Sequence, residues 1–231
     1  MIRNRFVFLL ASLMLLLLAT PVARLVDARD GPSFARFVFG VAFIATLLVS
    51  ILAVCRSRIP LVIFGFLTVV TVLLRAFQDQ VDPDSIAAYS VGVCLLGYTV
   101  ILIVRHLFQT AHVTFNTICA SLCAFLLLGV LWALVYSLVD TLVPGSFTGV
   151  SEMRLDERDS LALYFSYVTL TTLGYGDISP VKDPARTLVF LEAITGQLYL
   201  VVLVARLVGL HIAHGTLQTL GEQDRNSDSS R

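Results

Sequence analysis

Six stretches of this chain stay apolar for about the thickness of a bilayer, and that repeated length leaves few folds open. They run Phe6 to Ala23, Phe37 to Val54, Pro60 to Leu74, Ile86 to Val104, Phe115 to Val139 and Thr187 to Val208. A helix needs roughly 20 mainly apolar residues to cross the hydrocarbon core. The third run is short, and a small tilt or local thinning of the bilayer accommodates it. Of 231 residues, 57% are apolar and 14% charged, more hydrophobic material than one soluble core can hide. The expected fold class is an all-α membrane protein with six transmembrane helices.

The first run also has features of a signal peptide, since Arg3 and Arg5 precede it. Pro21 in "LATPVAR" spoils the small-residue cleavage pattern, so a retained helix is the expectation. Acidic and basic residues balance at 16 each, with no basic cluster, so neither nucleic acid nor a soluble partner is expected. Cys55, Cys94, Cys119 and Cys123 lie within or at the ends of apolar segments and read as small core residues, not as disulfides or metal ligands. No transition-metal site is expected, because the pair in "HIAH" lacks a third ligand nearby.

Between the fifth and sixth runs the pattern changes. Pro144 and Gly145 lead into the charged "SEMRLDERD", then the half-length apolar stretch "SLALYFSYVTL", then "TTLGYGD". The apolar piece is too short to span. With Asp159 or Ser160 as N-cap, it reads as a re-entrant helix that enters the membrane and stops. Non-helical backbone at membrane depth is tolerated only where protein buries it or water lines it, so a water-filled path is implied. Gly174 and Gly176 can take left-handed backbone angles, which lets successive carbonyls from Thr172 to Tyr175 point one way. Four such rows around an axis replace the hydration shell of a bare cation.

In this stretch the sequence resembles the potassium channel superfamily, of the bacterial six-helix type with one pore loop. Thr172, Leu173, Gly174, Tyr175 and Gly176 match the family filter T-V/I-G-Y-G, and Asp177 matches the acid that follows it. Leu173 stands where the family has Val or Ile, and Tyr164 and Phe165 stand where it has paired tryptophans. The resemblance covers roughly Phe115 to Ile212, under half of the chain. It implies a selectivity filter at Thr172, Leu173, Gly174, Tyr175 and Gly176, whose carbonyls, with the Thr172 hydroxyl, hold K+. It also implies filter support from Thr171, Asp177, Tyr164 and Phe165, with Tyr175 turned outward against pore-helix aromatics. Gly196 matches a mid-helix gating hinge, with close helix packing as the alternative. Permeant K+ is the ligand, and no cofactor is implied.

The resemblance further implies a homotetramer in membrane lipid, in a bacterial inner (plasma) membrane, with both termini cytoplasmic. Basic residues divide about equally between the two sides and do not decide the orientation. On that topology Asp79, Asp82, Asp84, Glu152, Asp156, Glu157, Asp159, Asp177 and Asp183 form an acidic outer rim that would concentrate cations. Residues 1–112 make a four-helix region, 113–214 a pore domain and 215–231 a polar tail expected to be disordered. A voltage sensor needs arginines along its fourth helix, yet Ile86 to Val104 has no Arg or Lys, so steep voltage gating is not expected. His106, His112, His211 and His214 fall at the expected cytoplasmic helix ends and are candidate pH sensors. Glu192, inside the sixth run, is expected to hydrogen-bond behind the pore helix or sit protonated; Arg206 is expected to reach inner headgroups or the lower pore.

The function expected is therefore passive, potassium-selective conduction. A poorly selective cation channel, should Leu173 distort the filter, and a secondary transporter are the competing readings; transporters of that type usually carry paired broken repeats. No nucleophile–base pair or metal constellation lies within the spans, so an enzyme is not expected.

Overall fold

In a computed structural model, the structure describes residues 5–30, 86–110, 114–148 and 155–229, with side chains described for 6–18, 86–110, 114–148 and 158–209. These residues form α1 (Arg5–Asp30), α2 (Ile86–Gln109), α3 (Phe115–Leu142), α4 (Leu155–Leu170) and α5 (Asp183–Ser229). The helix α2, the helix α3 and the Asp183–Gly209 part of α5 are each long and apolar enough to cross a membrane. The second and third expected spans, and Cys55, lie outside the described residues.

Helix α3 is the centre of the assembly. Helices α1, α2, α4 and α5 all pack against it. Its start is set by Thr114, whose backbone is extended (φ −120°, ψ 161°) and whose Oγ1 accepts from Thr117 N at 3.2 Å. That bond satisfies one of the amides left open at a helix start. Small residues along α3 let its neighbours approach: Cys119, Ala120, Cys123, Ala124 and Ala133 are all buried. Cys94 differs from the expectation. It is exposed on α2, because its position falls off the face that carries Leu95, Leu96, Thr99 and Ile103 into the core.

Helix α1 buries a stripe of Phe6, Leu9, Leu13 and Leu16, the spacing of one helical face. Cys123 Sγ donates to Phe6 O at 3.4 Å, and the Phe6 ring stacks on His106 with centroids 5.6 Å apart. The N-terminal ends of α1 and α3 and the C-terminal end of α2 therefore lie together.

Two boundaries depart from expectation. Helix α4 begins at Leu155, so neither Asp159 nor Ser160 is its N-cap. Asp159 lies inside the helix as a tie between elements, its Oδ1 accepting from Tyr89 Oη on α2 and Ser137 Oγ on α3, each at 2.9 Å. At the other end α5 continues to Ser229, so the tail from Gly215 is a helical extension here. Its composition is polar, but it holds no proline to stop a helix already running from the membrane side.

Glycine at 129 is required by the approach of α4. A Cβ there would lie 2.5 Å from the Tyr167 ring. By contrast, a Cβ on Gly97 of α2 would meet nothing within 4 Å. Gly129→Ala is expected to destabilise by about 1–3 kcal/mol through overpacking. Gly97→Ala should be neutral, or stabilising by up to about 1 kcal/mol of helix propensity. Thermal unfolding of the two variants side by side checks this.

Candidate functional site

Helix α4 stops at Leu170 in a defined way. Thr172 N donates to Thr169 O at 2.9 Å and Leu173 N to Val168 O at 2.9 Å, the paired bonds that close a helix with a left-handed residue just beyond its end. Thr172 holds that left-handed place, with φ 58°. Glycine usually sits there, and a β-branched residue pays about 1–2 kcal/mol for it. Strain of this kind collects where function holds a backbone against its preference.

Left-handed backbone then recurs at every second residue. Gly174 has φ 57° and Gly176 φ 80°, while Leu173 and Tyr175 keep negative φ. The whole segment from Thr171 to Asp177 is exposed within one chain, with Leu173 at 56% and Tyr175 at 67%. An added Cβ on Gly174 or Gly176 would meet nothing within 4 Å, so conformation and not crowding is what calls for glycine.

Both ends of this segment are anchored. At its start, Thr171 Oγ1 donates to Tyr167 O at 2.6 Å. At its outer end, away from the tip of α4, Tyr164 Oη donates to Asp177 Oδ2 at 2.8 Å, bridging from the middle of α4 to the end of the loop. That hydrogen bond is the main reason the Tyr164 phenol is pushed above its usual range. Past Asp177 the chain clasps the loop that follows α3. Thr148 N donates to Ser179 O at 2.9 Å, Val181 N to Ser146 O at 2.8 Å, and Lys182 Nζ to Pro144 O at 2.7 Å.

Phe165 takes no part in that outer strap. It is buried in an aromatic cluster with Tyr136 and Phe147, with centroids 5.2 and 5.5 Å from its own. Within one chain Tyr175 is exposed, and the adjacent Tyr164 and Phe165 of α4 divide between strap and core.

Helix α5 passes directly behind the end of α4. A Cβ on Gly196 would lie 2.7 Å from Leu170 O, so glycine is needed for the helices to meet. One turn earlier, the fully buried Glu192 carboxyl lies with Oε1 2.5 Å from Ser166 Oγ and with Oε2 against Tyr136 Oη. The hydrogen bonding expected of Glu192 is thus present, against α4. Ser166 Oγ also lies 2.8 Å from Gly129 O. Tyr199 Oη donates to Ser121 O at 2.6 Å, and Tyr167 Oη to Leu126 O at 2.7 Å, fastening α5 and α4 to α3.

Farther along α5, Arg206 is held by protein groups in a structural role. Its Nη2 donates to Thr110 O at 2.8 Å and its guanidinium lies 4.9 Å from the Phe108 ring centre, turned toward the joint between α2 and α3. A ring face and a carbonyl satisfy a guanidinium better there than hydrocarbon would. Of the candidate pH sensors, His106 is exposed and stacked on Phe6; His112, His211 and His214 lie outside the residues whose side chains are described. Of the acidic rim, Asp177 and Asp183 are exposed and Asp159 is turned inward. The remaining members lie outside the described side chains.

Residues 124–211 match the family described as Ion channel. Over this segment, under half of the chain, the protein is similar to an ion-channel domain. The segment spans most of α3, the half-length α4, the anchored loop and the membrane-crossing part of α5, in agreement with the resemblance drawn from the filter motif. No curated protein and no solved structure matches the chain. The channel domain, with three helices long and apolar enough to cross, marks the chain as a membrane protein.

The residues behind the loop, Ser166, Tyr136, Gly129 and Tyr167, were missed by sequence reasoning. The available signal was a lone serine and a lone glutamate each inside an apolar run, two polar groups with strong reason to find each other.

Gly196→Ala is expected to push α5 off the end of α4 and lower thermal stability. Gly209→Ala, on a glycine whose Cβ would meet nothing within 4 Å, should not. Equal effects would favour the hinge over packing. Because Tyr164 must keep its proton to donate to Asp177, the outer strap persists at neutral pH and is lost as pH rises through its elevated phenol range. Asp177→Ala should bring Tyr164 ionisation to lower pH, read by NMR of ring-labelled tyrosine with Tyr164→Phe for assignment.

Proposed function

We propose that four copies of this chain form a potassium-selective channel that conducts passively, with the Thr172–Gly176 loops facing a shared axis. The observation that carries this reading is the alternation of left-handed backbone at Thr172, Gly174 and Gly176 immediately after a capped half-length helix. Alternating handedness cancels the usual reversal of successive peptide planes, so neighbouring carbonyls face one side. Carbonyls of Thr172, Leu173, Gly174 and Tyr175 in four copies would ring the axis and stand in for the water around K+. The C-terminal end of α4, with its partial negative charge, would favour a cation below.

One chain supplies one row of oxygens and leaves it exposed at membrane depth, where unsatisfied peptide groups cost several kcal/mol each. Neighbouring copies around a water-filled axis would remove that cost, and a closed ring is the common way identical chains associate. Along α5 the exposed Phe190, Ile194, Leu198 and Val201 offer apolar surface for the copies and for lipid. Helix α2 has no Arg or Lys before Arg105, which argues against steep voltage dependence.

Purified protein in planar bilayers, with opposed potassium and sodium gradients, tests the reading. The reversal potential is expected near the potassium equilibrium value, with little dependence on voltage. A reversal that follows both ions equally would instead favour a non-selective cation channel. Gly174→Ala, which forces a Cβ into φ 57°, should cost about 1–2 kcal/mol at each of four loops and abolish selective current.

A further inference from the structure

Behind the loop lies a group of oxygens whose proton count does not close with an ionised glutamate. Three short oxygen–oxygen contacts meet there: Tyr136 Oη with Glu192 Oε2, Ser166 Oγ with Glu192 Oε1 at 2.5 Å, and Ser166 Oγ with Gly129 O at 2.8 Å. Each contact needs one proton to be attractive. The two hydroxyls bring two, and a backbone carbonyl brings none. If Ser166 gave its proton to Glu192, its oxygen would face the Gly129 carbonyl lone pair against lone pair. A third proton on Glu192 Oε1 closes the chain, with Glu192 donating to Ser166 and Ser166 donating to Gly129 O.

The surroundings favour the same state. Glu192 is fully buried, and among the described residues it forms no ion pair with Lys, Arg or His. The titratable groups that face it are Tyr136 from α3 and Tyr167 from α4, both phenols that bring no positive charge. An unpaired carboxylate in such a place costs several kcal/mol, whereas a neutral acid with both oxygens hydrogen-bonded costs little.

We propose that Glu192 is a neutral carboxylic acid acting as a proton-dependent clamp: it donates to Ser166 and thereby fixes the pore helix to both the outer helix α3 and the inner helix α5. The clamp sits one turn from the contact of Gly196 with Leu170 O, where α4 gives way to the loop. Ionisation would remove the donor, set Ser166 and Gly129 O against each other and loosen that junction. The charge state rests on the geometry alone. Any effect on the pore rests on the channel reading above, and an infrared measurement on the purified full chain tests the first without the second.

At neutral pH the wild-type protein is expected to show the carbonyl stretch of an un-ionised carboxylic acid that is absent from Glu192→Gln. Ser166→Ala, which removes the acceptor of the proton, should move that band to higher wavenumber. No band lost in Glu192→Gln, or a band left in place by Ser166→Ala, overturns the proposal. Thermal unfolding supplies a second readout that does not depend on band assignment. The folded chain binds one proton that the unfolded chain lacks at neutral pH, so wild-type stability relative to Glu192→Gln should fall with rising pH, by about tenfold in folding constant per pH unit, until the folded state itself ionises. Parallel pH profiles for the two proteins would equally overturn it.

Discussion

A buried peptide group without a partner costs several kcal/mol, and the point at which α4 stops is where this chain has to satisfy the backbone groups its last turn leaves open. The solution is local and then general. Thr172 takes a left-handed conformation so that the amides of Thr172 and Leu173 fold back on the last turn. The fold then holds that stop from every side. Gly129 admits Tyr167, Gly196 admits the Leu170 carbonyl, and the Tyr164–Asp177 bond keeps the far end of the loop from drifting. Beyond it, the clasp between residues 146–148 and 179–181 fixes where the chain turns back into α5.

Polar groups inside this fold act as joints between helices. Asp159 joins α2, α3 and α4; the Glu192 group joins α3, α4 and α5; Tyr199 and Tyr167 reach backbone carbonyls of α3. In a bilayer, apolar packing alone discriminates weakly between helix registers, because lipid tails are as apolar as leucine. A hydrogen bond from one chosen side chain fixes register where packing does not.

The helices themselves were readable because their signal is length, and length survives any tertiary context. The starts of α2 and α3 at Ile86 and Phe115 fall where the apolar runs begin. The loop after α4 was readable because "TTLGYGD" places two glycines where a half-length helix cannot continue. What stayed hidden depends on distance in space. Asp159 looked like a cap or a solvated rim charge, since nothing in the sequence announces that Tyr89, 70 residues earlier, would reach it. Cys94 looked like core, because an apolar run carries no mark of which face turns inward. From Gly215 composition describes the solvent-facing character of the segment and says nothing of whether the preceding helix carries on through it, as α5 does here to Ser229.

The position of Arg206 has a mechanical consequence. A single side chain ties the lower part of α5 to the carbonyl at Thr110, on the short connection between α2 and α3. Helix α5 cannot swing sideways at that level without either breaking the tether or dragging the end of α2 with it. Helix α2, which carries no Arg or Lys before Arg105, is thereby yoked to the far half of α5.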